Sequence, residues 1–564
     1  MSFTPTPQQK QIFEFFQNGK GHGMIDAVAG SGKTTTIIKG IDYIDKNTSI
    51  LFCAFNKKIQ LEIHKKTIHN QNVIVRTTYA LGLNILRHHF NSFRGKNPNS
   101  SKYYNILNEK LKRLENSHDY ANPSKFTNVF DLIRASYYSN KKRDEPDVFY
   151  KTFLSNFYRL VDLSRFTLSY SKGKEKFKSL VEKYSIDIDQ EDSGLMELYQ
   201  DLVEIAIDAG NKQARIDGVF DFPDMIFLPC ELKLRSPNKY DVLFVDECQD
   251  LSNAQLKTIR KYLAEGGRLF AVGDPFQSIY GFAGASPKSF DNIREIFQPK
   301  MFSLTNCFRC DKSIIDLAKE IRNDIETSSL SKGETLKIKF NQVSKLATET
   351  DLILSRHNAD LFETVFELLK MGVKCKILGK TEILKGLKDI LPSKHFEDEA
   401  YYSNLIDNLE KLYHSTESKM QDNPTNFEKL VSLRDSINVI ETCYFNTTDC
   451  STLNELFDYI ETLMDCEDEE SVILSSIHRA KGLESNRVFI IGYENLPFKK
   501  EGMKDWQLYQ EKCLKYVAIT RAKHTLFLSE PIPDSDDFKM KDFETGLDSD
   551  GECELDDDID FLPI

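Results

Sequence analysis

Ala27-Val28-Ala29-Gly30-Ser31-Gly32-Lys33-Thr34 is the stretch that decides the fold. It follows an apolar strand candidate, Met24 to Val28, and precedes isoleucines 37, 41 and 44, which recur at helical spacing. Strand, glycine loop and helix in that order make a phosphate-binding loop. Glycines let backbone N–H groups approach phosphate oxygens, and the helix N-terminus adds favourable partial charge. Lys33 would reach the β- and γ-phosphates, and the Thr34 hydroxyl would hold Mg²⁺. The bland alternative is a chance glycine turn. Ala27 stands where the usual pattern has glycine.

Working outward, Ile50-Leu51-Phe52-Cys53-Ala54-Phe55 is an uninterrupted apolar run, as expected of a strand buried on both faces. Val242–Val245 and Leu269–Val272 are two more. Directly after the first of these comes Asp246-Glu247-Cys248-Gln249. Two adjacent carboxylates at the end of a buried strand are costly unless a cation compensates them. One carboxylate near Mg²⁺ and one orienting the attacking water is the division of labour phosphoryl transfer needs. A solvent-facing charge pair is the competing reading. The pattern recurs in the second half, with candidate strands at Leu352–Leu354, Cys375–Leu378, Val472–Leu474, Val488–Ile491 and Leu526–Leu528. The predicted fold class is therefore α/β, with two RecA-like parallel-sheet P-loop domains, each interrupted by a mainly helical insertion.

Composition bounds the partners. The 564 residues suggest about four domains at roughly 150 each. No apolar run approaches the roughly 20 residues of a membrane span, and residues 1–7 do not resemble a secretory signal. Eleven scattered cysteines point to an intracellular, reducing compartment and free thiols. The net charge of −12 is localised: residues 530–564 carry fourteen acidic and two lysine side chains, leaving the body neutral. Overall acidity thus does not exclude a phosphate-backbone groove. The acidic segment is expected to be a disordered tail, either solubilising or docking on a protein partner, or folding back over the nucleic-acid groove.

A resemblance then appears in the motifs. Val272-Gly273-Asp274-Pro275-Phe276-Gln277-Ser278-Ile279-Tyr280-Gly281-Phe282 looks like motif III of superfamily 1A DNA helicases of the UvrD/Rep/PcrA type. Ser476-Ile477-His478-Arg479-Ala480-Lys481-Gly482-Leu483-Glu484 resembles motif V, and Tyr516-Val517-Ala518-Ile519-Thr520-Arg521 resembles motif VI. Leu304-Thr305-Asn306-Cys307-Phe308-Arg309 resembles motif IV. With the phosphate loop and the DECQ box, the series runs in the family's order from residue 9 to 528.

The resemblance implies roles. Gln9 (or Gln8 in a shifted register) matches the adenine-reading glutamine, Phe308 stacks on the base and Glu484 contacts the ribose. Residues 27–35, Thr35 included, line the nucleotide. Lys33, Asp246, Glu247, Gln277, Arg309 and Arg521 form the catalytic set, with Thr34 and Asp246 on Mg²⁺. Gln277 senses the γ-phosphate, and the two arginines supply transition-state charge from the second domain. ATP is then expected between the two α/β domains. Phe55, Asn56, Thr77, Tyr79, Tyr280, Phe282, Arg356 and His478 match strand contacts, suited to sequence-tolerant stacking; Phe55 and Phe282 also read as core aromatics. Three departures stand out: Thr35 and Ala283 replace arginines, and Tyr79 replaces a histidine.

Phe55-Asn56-Lys57-Lys58-Ile59 is nearer to the F-box DNA helicase branch, although no F-box is expected because the motor begins almost at residue 1. The expected domains are 1–83 with 216–300 (1A), 84–215 (helical insert 1B), 301–380 with 471–529 (2A) and 381–470 (a small 2B). The implied activity is an ATP- and Mg²⁺-dependent, 3′-to-5′ single-stranded DNA translocase and helicase. Single-stranded DNA and single–double-strand junctions are its partners, with no membrane and a monomeric or weakly oligomeric state. An RNA-directed motor and a nucleotide-gated binding module are the rival readings. Cys307-Phe308-Arg309-Cys310 is a C-x-x-C without a second pair at zinc spacing. Lys141-Lys142-Arg143 and the Lys172–Lys178 stretch read as strand contacts or as solvated helix ends.

Overall fold

The computed structural model describes residues 3–116, 148–170, 173–186, 188, 193–281, 284, 288–420, 427–447, 450–464, 470–499 and 503–532. Phe282, Ala283, Lys141-Lys142-Arg143, Lys172 and the acidic segment beyond Ile532 lie outside these residues. The chain divides into two compact units, with the boundary at Thr305–Asn306.

The first unit is built on six parallel strands: β1 (Gly23–Ala27), β2 (Ile50–Ala54), β3 (Val73–Thr77), β4 (Tyr240–Val245), β5 (Leu263–Gly273) and β6 (Lys300–Leu304). Their order is β3-β2-β4-β5-β1-β6. Strand β2 is apolar throughout, and β1 and β4 are so apart from Asp26 and Asp241, because both faces of the sheet are covered. Ile25, Phe52, Phe244 and Phe270 pack with Phe13, Phe16 and Ile37 on one side. Met24, Leu51, Leu243 and Leu269 pack with Leu81, Ile85 and Tyr262 on the other. Four helices flank the early strands: α1 (Pro7–Asn18), α2 (Lys33–Gly40), α3 (Lys57–Thr67) and α4 (Thr78–His89). Helix α2 is shorter than the isoleucine spacing predicts. It tightens into a 3₁₀ turn at Ile41–Tyr43, and Ile44 is extended.

The helices between β3 and β4 have their own core, built from Phe153, Phe157, Leu160, Leu180, Leu198 and Leu228 among others. Inside it sits a buried ionic cluster. Arg165 Nη1 bonds Asp221 at 2.7 Å and Asp224 at 2.9 Å, and Lys102 Nζ donates to Asp224 as well. The Arg165 guanidinium lies 4.2 Å from the centre of the Tyr103 ring. Lys102 Nζ also donates to the Gly210 carbonyl at 2.8 Å, so the cluster ties four helices together, and losing one partner would weaken the balance of charge in low dielectric.

The second unit opens with a two-stranded pair, β7 (Asn306–Cys307) and β8 (Glu326–Thr327). Its main sheet holds β9 (Glu334–Ile338), β10 (Leu352–Ser355), β11 (Cys375–Ile377), β12 (Val472–Ser476), β13 (Ser485–Ile490) and β14 (Ala522–Ser529). All pairs are parallel, in the order β11-β12-β10-β13-β14-β9. The helices between β11 and β12 share one core with the sheet, in which Ile353, Leu361, Ile440, Leu456 and Leu474 all take part. Asp435, from that helical segment, caps the N-terminus of helix Asn358–Lys370 through the Asn358 and Ala359 N–H groups, at 3.1 and 2.9 Å. Two RecA-like parallel-sheet halves with helical insertions are the observed architecture. Among the described residues no helix is long and apolar enough to cross a membrane.

Candidate functional site

Every site candidate of the first unit, apart from Gln9 and Phe282, sits at the carboxyl ends of β1 to β5 or in the loops and helix starts that follow them, where open parallel sheets bind ligands. Gly30 and Gly32 hold positive φ (67° and 75°), as the loop requires, whereas Ala27 ends β1 in ordinary extended backbone. That is why alanine is tolerated there. Ala27, Val28 and Ala29 are fully buried. Thr34 Oγ1 donates to Asp246 Oδ2 at 2.8 Å, and Lys33 Nζ lies 3.4 Å from both Glu247 carboxylate oxygens. Burial, and then the Glu247 charge, push the Asp246 carboxyl up to about 6, against Lys33 and Thr34. This hydroxyl–carboxylate pair is a hard-oxygen donor set suited to Mg²⁺. The buried Ser31 Oγ has no hydrogen-bond partner among the described residues, which suits a loop shaped around phosphate oxygens.

Glu247 is in left-handed backbone (φ 51°, ψ 43°), an unusual conformation for a non-glycine residue. Its carboxylate is held by Gln249, whose Nε2 donates to Glu247 Oε2 at 2.6 Å. Gln249 Oε1 in turn accepts from the Asp274 N–H at 3.1 Å, and Asp274 Oδ2 accepts from Gln277 Nε2 at 2.6 Å. A continuous path therefore joins Lys33 and Glu247 to Gln277. The connectors, Gln249 and Asp274, are absent from the predicted set. Their signal was in the quoted motifs, but which polar side chain turns inward is settled only by packing. Gly273 makes the approach possible: a Cβ there would lie 2.4 Å from Gln249 Oε1.

Of the two glutamines, Gln9 is the buried one. Its Oε1 accepts from the Thr6 N–H at 3.0 Å in a capping box, and its Nε2 donates to Thr36 Oγ1 at 2.9 Å. Thr36 in turn donates to the Gly32 carbonyl, so Gln9 is braced against the phosphate loop. Gln8 instead clamps Thr305 through both ends of its amide. Thr35 is exposed.

Phe55, just after β2, stacks on Tyr280 with ring centroids 6.0 Å apart and planes 16° from parallel. Both rings are half-buried rather than core. Asn56 and Thr77 spend their side-chain oxygens as N-caps of α3 and α4, accepting from Ile59 N and Ala80 N. Tyr79 packs edge-on against Phe222, an exposed aromatic that sequence reading passed over.

In the second unit Phe308 is exposed. Arg309 pairs with Glu484 at 2.7 Å, and Lys523 bonds the same carboxylate at 2.9 Å. Those charges hold the Glu484 carboxyl below its usual range despite some burial. Arg521 is buried and donates to the Val517 and Leu483 carbonyls and to Thr520 Oγ1. Arg356, read from the sequence as a strand contact, forms a forked pair with Glu511, with Nη2 to Oε1 at 2.8 Å. Burial, and then nearby Arg356, lower His478 to about 3, so its ring is neutral.

Two parallel sheets, a phosphate loop and a carboxylate pair define a P-loop nucleotide hydrolase. Residues 6–298 match the model of the UvrD/REP helicase N-terminal domain, and residues 360–531 that of the UvrD-like helicase C-terminal domain. The chain belongs to the UvrD/REP helicase family. It is 26% identical over 334 residues to F-box DNA helicase protein 1 of Schizosaccharomyces pombe, covering 55% of this chain and 35% of that protein. It is 22% identical to a probable DNA helicase II homolog of Mycoplasma pneumoniae (90% of this chain, 82% of the relative). It is 23% identical to ATP-dependent DNA helicase Rep of Buchnera aphidicola (90% and 92%). The matched region thus spans about a third of the fission-yeast relative and most of the bacterial ones.

Proposed function

We propose that this chain is an ATP-driven motor that moves 3′-to-5′ on single-stranded DNA, unwinding duplex at junctions or displacing bound proteins. The observation that carries this reading is the hydrogen-bonded path from Lys33 and Glu247 through Gln249 and Asp274 to Gln277. Three residues beyond it stands Tyr280, stacked on Phe55. A hydrolytic carboxylate wired to a pair of half-buried aromatics is a means of coupling hydrolysis to a stacked strand. The names of the bacterial and yeast relatives support DNA as that strand.

In this reading Lys33 neutralises phosphate charge and Glu247 orients the attacking water and accepts its proton. Thr34 and Asp246 would hold Mg²⁺, which offsets charge building on the phosphates. Gln277 reports the γ-phosphate, and Gln9, Phe308 and Glu484 serve the base and ribose. Arg309 and Arg521 stabilise transition-state charge; both are engaged within their own unit here, so each must exchange protein partners for phosphate during turnover. The protein works inside the cell as a monomer or weak oligomer, with its acidic C-terminal segment open to a protein partner.

Streptavidin displacement tests polarity. A 3′-to-5′ motor strips streptavidin from a 5′-biotinylated DNA strand and not from a 3′-biotinylated one. The reverse preference overturns the polarity, equal activity on RNA makes it an RNA motor, and ATP-dependent binding without displacement makes it a gated module.

A further inference from the structure

Cys307 and Cys310 bracket Phe308 and Arg309, the aromatic and the arginine assigned to the nucleotide. The C-x-x-C spacing falls where β7 turns towards the next helix, and the turn folds the second cysteine back onto the first. The Cys310 N–H donates to Cys307 Sγ at 3.4 Å. Cys310 Sγ also lies 3.7 Å from the Thr520 carbonyl, the same oxygen that accepts from Arg309 Nη1 at 3.1 Å. Both sulfurs are buried. The Cys310 thiol, two backbone N–H groups and the Arg309 charge bring Cys307 down to about 6, whereas burial pushes Cys53 and Cys443 upward. Two thiols folded into one turn, with the ionised form of the first favoured, are placed as a disulfide requires, and nothing in the hydrolytic scheme uses them.

We infer that Cys307 and Cys310 form a reversible disulfide under small hydroperoxides, and that closing it switches the motor off by moving Arg309. The inference rests on the transition-state role assigned above to Arg309. In the first step the Cys307 thiolate attacks one oxygen of hydrogen peroxide, the O–O bond breaks, and hydroxide leaves to take up the thiol proton as water. Cys307 is then a sulfenic acid. In the second step the Cys310 sulfur loses its proton and attacks the Cys307 sulfur, the S–O bond breaks, and a second water leaves. Two thiols are oxidised to one disulfide as peroxide is reduced to two waters. Burial of both sulfurs selects a small oxidant over a bulky disulfide such as oxidised glutathione.

Bonded sulfurs stand about 2 Å apart, closer than any unbonded pair, so closing the bond pulls together the two ends of the turn that carries Arg309. It also draws Cys310 from Thr520, the carbonyl that anchors the arginine. Misplacing a catalytic group by about 1 Å can cost on the order of a hundredfold in rate.

The test uses the full chain, treated with hydrogen peroxide, alkylated and mapped by peptide mass, with ATP hydrolysis measured in parallel on single-stranded DNA. The expected result is a Cys307–Cys310 cross-link two hydrogens lighter, a rate at least about tenfold lower, and recovery with dithiothreitol. Cys307→Ser should hydrolyse normally in reducing buffer and keep that rate after peroxide. If it fails to fold, Cys310→Ser must likewise show no cross-link and no dithiothreitol-reversible loss. A cross-linked protein at full rate overturns the inference, as does oxidation of other cysteines without this bond. Absence of hydrolysis in the reduced protein would contradict the motor reading instead, and the cross-link is scored separately by mass.

Discussion

Gln249→Leu is the sharpest probe of the path between hydrolysis and strand. Gln249 is 2% exposed, and leucine fills nearly its volume without its amide. The change removes a 2.6 Å bond to the Glu247 carboxylate and a 3.1 Å bond from the Asp274 N–H. A hydrogen bond to a charged group contributes about 1.5–3 kcal/mol, and stranding a buried N–H costs about 1–3 kcal/mol. If the Glu247 contact is expressed in the transition state, kcat on saturating single-stranded DNA should fall about 10- to 100-fold. Nucleotide affinity should change by less than about threefold, because Lys33 and Thr34 are untouched. Steady-state hydrolysis across a DNA titration, with equilibrium binding of a non-hydrolysable analogue, separates the two. Gly273→Ala reaches the same bond sterically, since its Cβ would meet Gln249 Oε1 at 2.4 Å and Cys248 Sγ at 2.8 Å. A folded Gln249→Leu protein with wild-type kcat and wild-type DNA stimulation would refute the path.

Arg165→Met strands Asp221 in the insert core and leaves Asp224 with Lys102 alone, and should cost about 3–5 kcal/mol in denaturant unfolding; a loss under about 1 kcal/mol would show the Asp221 carboxylate neutralised at little cost. Phe55→Ala and Tyr280→Ala should each raise the half-saturating DNA concentration by about 5- to 150-fold, from about 1–3 kcal/mol of stacking. Because the rings stack on each other, the double variant should fall short of the product, and strict additivity would argue against a shared site. His478 is held near 3 when folded, against about 6.5 unfolded, so the unfolded state gains a proton first as pH falls. Its contribution to stability is complete above about pH 6.5 and is lost progressively towards about 3. His478→Gln should flatten the acid limb of the stability curve, and an unchanged slope would contradict the burial argument.

The central strands were legible because both faces are covered: β1, β2, β4, β10, β12 and β13 read as apolar runs. Three edge strands, β3, β6 and β9, escaped sequence reading. Each pairs on one side only and buries a single residue fully, as Val73-Ile74-Val75-Arg76-Thr77 does with Val75. Among the site residues, the loop and the carboxylates were legible because their spacing is local. Gln249 and Asp274 were not, since their partners are set by how β4 and β5 align. Arg356 shows the same limit: nothing near it in sequence announces Glu511, 155 residues away. Asn56 and Thr77 carry two readings at once, since short oxygen-bearing side chains that suit a strand contact are also the residues that cap helices.

The most direct test of the account is ATP hydrolysis by the purified protein alone, with single-stranded DNA and with single-stranded RNA, beside Glu247→Gln. The account predicts strong stimulation by DNA, little by RNA, and loss of turnover in the variant with nucleotide binding retained. Turnover that ignores DNA, or that survives Glu247→Gln, would contradict it.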